Sequence, residues 1–175
     1  MIYLDGSDAA NPTSALPGQV VMFYIGGEAD HVWTLDQIKM QTAEFLLPIW
    51  VAGYQEHATY AGRNCADALY DLAGGEEFSY VLDCELLNQG DNDWVDQFAN
   101  VTAPEHYGCH VYDSKDRIFH FQPRSGYIVA DWTGVSHMYE HPWVKGTQWK
   151  NTPDYDLDVF DPSLRLWRNP YVNHR

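Results

Sequence analysis

The order of apolar and amphipathic segments predicts an α/β chain folded as a compact (β/α)8 barrel of the TIM type, with reduced helices in its second half. Three observations carry that prediction. The apolar runs 20–25 and 45–51 are uninterrupted, as in strands of a parallel sheet that are buried on both faces. Segments with helical spacing separate the strands of the first half, which implies parallel pairing through right-handed crossovers. The strand count reaches about eight, the number that closes such a barrel. The chain has 175 residues, short of the roughly 200 to 250 usual for this fold. The shortage falls on the second half, where the spacers hold no helix. An open doubly wound sheet is the competing architecture, and it would keep its helices throughout. One domain spanning residues 1–175 accommodates this length.

Each element has its own signal. Residues 2–4 read as a short strand ending at Asp5, before a loop rich in Gly, Ser, Asn and Pro. The second strand, 20–25, stops at Gly26 and Gly27. Thr34 and Gln37 have capping-box spacing, so a helix is expected from there through Met40 to Glu44. The third strand, 45–51, contains Pro48, a residue that removes a ladder donor and is tolerated at strand starts and bulges. Ala61, Cys65, Ala68, Leu69 and Leu72 recur at helical spacing, and Gly74-Gly75 supplies a stop. The apolar run 78–87 is the fourth strand. After the capping cluster Asp91-Asn92-Asp93, a helix places Trp94, Val95, Phe98 and Val101 on one face. Shorter strands are expected at 107–112, 127–132, 146–149 and 156–160, with no internal repeat.

Composition narrows the partners. A formal net charge of −15 with only 10 basic residues excludes nucleic acid and anionic membrane surfaces, because so few cations cannot form a phosphate-binding stripe. With 12 Tyr, 7 Trp and 25 acids, the chain suits neutral polar ligands such as sugars, which stack on rings and bond to carboxylates, although core packing uses the same aromatics. Trp94 and Trp143 are assigned to the core. Cys65, Cys84 and Cys109 are odd in number and lack Cys-x-x-Cys spacing, so they read as buried apolar residues. Residues 1–6 show no signal-peptide pattern and no stretch reaches membrane-spanning length, so export is expected to need another route. His106, His110, His120, His137 and His141 show no metal-binding helical pairing. The pair His137 and His141 fits a surface turn equally well, and neither metal nor cofactor is expected.

Chemistry concentrates at Asp83 and Glu85. Alternate residues of a strand share a face, so the two carboxylates would point together, about 7 Å apart. Burial and like charge push such a pair's pKa values apart, leaving one protonated donor and one ionised stabiliser. The same spacing also fits a strand end whose acids face water.

Several ordered pieces resemble the glycoside hydrolase family 25 lysozymes and a related branch of glycoside-hydrolase-like barrels from bacteria and phages. They are Leu4-Asp5, Phe23-Tyr24-Ile25-Gly26-Gly27, Leu47-Pro48-Ile49-Trp50-Val51 with Gln55, and Asp83-Cys84-Glu85. Tyr107-Gly108 to Tyr112, Ile128-Val129-Ala130-Asp131-Trp132, Gln148-Trp149 and Tyr155-Asp156-Leu157-Asp158-Val159-Phe160 follow in the family's strand order. The resemblance implies action on, or binding to, the peptidoglycan backbone of bacterial cell walls. It also implies Glu85 as general acid and Asp83 as stabiliser of positive charge or orienter of the N-acetyl group. Asp5 and Asp156 would complete an acidic floor, with Tyr24, Trp50, Tyr112, Asp131 and Trp132 lining the cleft. Asp5 also fits a turn start, and Asp131 a loop-backbone contact. A phage-encoded origin follows from the same likeness, either as a released lysin or as a virion component. The alternative is a non-catalytic structural or host-surface-binding part of a phage tail, in contact with partner subunits.

Overall fold

A computed structural model describes residues 2–103 and 107–172. Its strands are β1 Leu4–Asp8, β2 Val20–Gly27, β3 Phe45–Val51, β4 Ser79–Asp83, β5 Gly108–Ser114, β6 Gly126–Ala130, β7 Val144–Asn151, β8 Asp156–Phe160 and the short β9 Trp167–Arg168. Helices α1 Leu35–Lys39, α2 Ala58–Ala73 and α3 Asn92–Thr102 follow β2, β3 and β4. Among the described residues, the only helical segment after β5 is a 3-10 turn, Ile118–His120. Strands β1 to β8 close into a ring, since β2 pairs with both β1 and β3 while β1 also pairs with β8. The fold is a closed, TIM-like α/β barrel with its helices in the first half.

The local signals explain these elements. Thr34 caps α1 with the reciprocal box, its side chain accepting from Gln37 N–H, although the helix stops at Lys39 rather than continuing to Glu44. Asp91 caps α3 by accepting from Trp94 N–H. Side chains then sort by parity along each strand. Val20, Met22, Leu47, Ile49, Val81, Tyr112, Ile128 and Phe160 fill the barrel. Their neighbours Val21, Phe23, Leu46, Trp50, Leu82, Val111 and Val129 pack outward against Ile38 of α1, Ala61, Cys65 and Leu69 of α2, and Phe98 of α3. The three cysteines are free and buried, whereas Trp143 is exposed rather than in the core.

Three departures from the sequence reading position the site. The strand expected at 2–4 lies at Leu4–Asp8, so its carboxyl end is Asp8. Gly6 had read as turn material, yet it is strand backbone over which the Phe160 ring lies: a Cβ there would stand 2.3 Å from Phe160 Cε2. Secondly, β8 runs antiparallel to both β7 and β1. Residues 152–155 join β7 to β8, and a link so short makes a hairpin, since parallel return needs a dozen or more residues. Thirdly, β4 ends at Asp83, and Glu85 stands in the turn beyond it. Pro48 is tolerated because β3 changes partner there, pairing with β9 at Phe45 and Leu46 and with β4 from Ile49 onwards.

Candidate active site

Carboxylates gather at the end of the barrel where the parallel strands finish. Asp8 closes β1 and is in register with Asp156, which reaches the same mouth because β8 enters it by its amino end. Asp83 ends β4, and Glu85 follows at the solvent-accessible rim. Tyr24 stands among them, and burial together with the charges of Asp8, Asp83, Asp156 and Glu85 pushes its phenol pKa up. Two adjoining hollows share Tyr24 and Ala10. One, of about 680 Å³, lies between the 9–16 loop and the β7–β8 hairpin and reaches Asp8 and Asp156. The other, of about 240 Å³, reaches Asp83, Glu85, Glu28 and His31. The cleft therefore runs across Tyr24 with an acidic pair on either side.

Burial sets the protonation of these groups. Asp83 is pushed up to about 7, first by burial and then by the charges of Glu85 and Asp113, against the N–H of Glu85 and the Arg117 guanidinium. That N–H donates to Asp83 Oδ1 at 3.0 Å. Glu85 is also raised, first by burial and next by Asp113, and Arg117 opposes this. Of the pair, the deeper Asp83 is raised further. Asp8 and Asp158 lie side by side, fully enclosed, and burial raises both well above the ordinary carboxylate range. Asp156 is raised less, because the Asp8 side chain and Thr152 N–H hydrogen-bond to it. Asp8, pushed up to about 8, retains its proton at neutrality.

The sequence reading brought Asp83, Glu85, Asp156 and Tyr24 together, and the structure does so too. Asp5 is exposed near the opposite, amino-terminal end of β1, so Asp8 occupies the place expected for it. Trp50 does not line the cleft: its parity on β3 turns it outward onto Phe98, 6.3 Å between ring centroids. Tyr112 faces inward, its hydroxyl donating to Gln148 Oε1 at 2.8 Å. Trp132 stands at the rim, 57 % exposed, with Nε1 donating to the same oxygen at 2.8 Å. Asp131 is held ionised beside them by Lys115 at 2.7 Å and His137 at 3.1 Å. His141 instead stacks on Phe119, and His106 lies outside the described residues.

Besides Asp8, three participants were missed. Gln148 is buried and turns its Nε2 toward Asp8 at 3.4 Å and Asp156 at 3.3 Å. Asp158 repeats the two-residue spacing of Asp83 and Glu85 next to Asp156, a signal present in the sequence. Arg117 donates to the carbonyls of Glu85 at 3.0 Å and Leu87 at 2.7 Å and pairs with Asp113 at 3.2 Å, a link that only the folded barrel reveals.

No protein-family model matches the chain, and comparison with curated proteins finds no match in sequence. Solved structures share the fold. An uncharacterized B. stearothermophilus protein superposes with a TM-score of 0.66 at 13 % identity, covering 92 % of this chain and 97 % of that one. The CTP1L endolysin gives 0.57 at 13 %, covering 90 % and 66 %. The modular autolysin LytC from Streptococcus pneumoniae gives 0.58 at 13 %, covering 91 % and 47 %, and it has also been solved with a synthetic peptidoglycan ligand. The chain thus spans about two thirds of the endolysin and about half of the autolysin.

Proposed function

We propose that this chain is a lysozyme-type glycoside hydrolase that binds and cleaves the aminosugar backbone of bacterial cell-wall peptidoglycan. The observation that carries the reading is the convergence of Asp8, Asp83, Glu85 and Asp156 around Tyr24, in a cleft open on both sides of them. The Asp83-Cys84-Glu85 resemblance and the fold shared with an endolysin and an autolysin support it. The endolysin likeness also supports phage-borne delivery, from a virion or as a released lysin.

Glu85 is the proton donor, because it stands at the solvent-accessible rim of the cleft, where a bound glycosidic oxygen is within reach and burial raises the pKa of the Glu85 carboxyl. Its proton passes to the glycosidic oxygen as the bond from that oxygen to C1 breaks. Asp83 lies beneath, ordered by the Glu85 N–H. In its ionised form it accepts a hydrogen bond from the substrate's acetamido N–H, turning the acetamido oxygen toward C1. That oxygen bonds to C1 as the leaving group departs, and Asp83 stabilises the resulting cationic ring. Water then bonds to C1 as the bond between C1 and the acetamido oxygen breaks, restoring the acetamido group, and the water's proton returns to the Glu85 carboxylate. Asp8 and Asp156 share a proton and hold sugar hydroxyls, while the Trp132 ring offers a stacking face.

Clearing of purified wall suspensions tests this. The native chain is expected to clear them, and Glu85→Gln to lose roughly 100-fold or more of the rate. Equal clearing by both proteins would remove Glu85 from the role, and failure of the native chain to clear would overturn the reading.

A further inference from the structure

The amino-terminal end of the barrel, opposite the acidic mouth, opens into a separate cavity of about 480 Å³. Its inner wall comes from the first residues of strands: Ser79 opens β4 and Gly108 opens β5. His110, the next inward position on β5, lines it and is only 4 % exposed. Its Nε2 lies 3.1 Å from Ser79 Oγ, while the enclosed Nδ1 has no hydrogen-bond partner among the described residues. The nitrogen on the cavity side is Nε2, whose partner Ser79 Oγ also lines the space, so this buried imidazole and hydroxyl present a polar inner wall. Gly108 keeps the inner wall open: a Cβ there would stand 3.0 Å from Ser79 Oγ.

The lining has an unusual sign for this chain. Ser79, Ser125, Ser163, His110, Lys145 and Arg165 contribute, and no carboxylate does among the described residues, although the sequence carries 25 acids. Lys145 Nζ is 3.2 Å from Ser163 Oγ and a looser 3.7 Å from Asp161, and Arg165 is paired with Glu77 outside the cavity. Burial and the Lys145 charge hold His110 neutral, its pKa down to about 4. An anion lying between the two side chains would offset the Lys145 repulsion and favour the protonated imidazole, which donates from both nitrogens.

We propose that this amino-end cavity binds a phosphate group, free or carried by a small organic molecule, with Lys145 and Arg165 supplying charge and His110 and the serine hydroxyls supplying hydrogen bonds. Hydroxyl, ammonium and guanidinium donors surrounding one space match the many acceptor oxygens of phosphate. A cation is excluded by the sign of the lining. The volume exceeds that of the bare ion and leaves room for a substituent. The site is independent of the glycosidase reading, since it shares no residue with the acidic mouth.

The test is an NMR titration of the full chain, following the His110 imidazole. Inorganic phosphate and glycerol phosphate are added separately, at ionic strength held constant with sodium chloride. Saturable shifts are expected, with the His110 pKa rising by about a unit. Affinity is expected to fall about tenfold in Lys145→Met and in the exposed Arg165→Met, the loss of one charge-assisted contact. Equal affinity for both probes assigns the free ion, and tighter glycerol phosphate assigns a phosphorylated molecule. Absence of saturable shifts with either probe, or undiminished affinity in both variants, overturns the proposal.

Discussion

Gln148 joins the Asp8 and Asp156 carboxyls to Tyr112 and Trp132 through one amide. Its oxygen accepts from Tyr112 and Trp132, which obliges its nitrogen to face Asp8 and Asp156. Gln148→Met keeps the volume but strands the Tyr112 hydroxyl, so denaturant titration should show a loss of about 1 to 3 kcal/mol. Clearing should fall with it, because the Trp132 ring loses its anchor. Asp83 gives a second residue-scale test, through pH. Folding raises its pKa from the ordinary 3.8 to about 7, so across that window the folded chain binds the extra proton. Its contribution to stability is therefore fully present below about 4 and is lost as pH rises toward 7. Asp83→Asn should gain stability relative to the native chain by a few kcal/mol between pH 4 and pH 8, measured as the difference between two denaturation series. Asp83, Glu85 and Asp156 were legible because the family resemblance names them, although Glu85 stands in the turn beyond β4 and not on the strand face that parity gave it. Asp8 was not, because Gly6 and Ser7 have turn composition and their strand conformation depends on Phe160, far along the chain. Trp50 was misplaced because a large aromatic on a buried strand fits either face.

At the scale of elements, the turn after β4 is what presents Glu85, and Arg117 holds that turn by two of its carbonyls while pairing with Asp113 on β5. The guanidinium also holds the Glu85 pKa down against burial. Arg117→Ala should therefore lower kcat about tenfold or more by loosening the donor's position. It should also move the alkaline limb of the pH profile upward, whereas a merely structural defect would leave that limb in place. Arg117→Lys, which restores charge but not the forked contact, should recover the limb and only part of kcat. The helical segments were readable from caps and spacing, and α1, α2 and α3 all form where such signals lie. The antiparallel entry of β8 was not anticipated, although its cause is local: the four-residue link 152–155. That reversal brings Asp156 to the mouth by its strand's amino end.

The whole molecule carries a net charge of −15, and the linings of its two opposite openings differ, with acids around Tyr24 and Lys145 and Arg165 in the amino-end cavity. An anionic wall repels such a chain, so salt should speed clearing until the Debye length shrinks to about 8 Å near 0.15 M. A clearing rate that falls steadily with salt would mean that wall contact rests on cations instead. The closed barrel was foreseen from strand count and alternation, whereas the difference between the linings of its two openings follows from which residues begin and finish each strand. The central claim is that the acidic mouth breaks glycosidic bonds in peptidoglycan. Mass spectrometry of fragments released from purified walls tests it most directly. The account predicts new aminosugar reducing ends with the native chain and none with Glu85→Gln. Fragments released with every glycosidic bond intact, or the same reducing ends from both proteins, would contradict it.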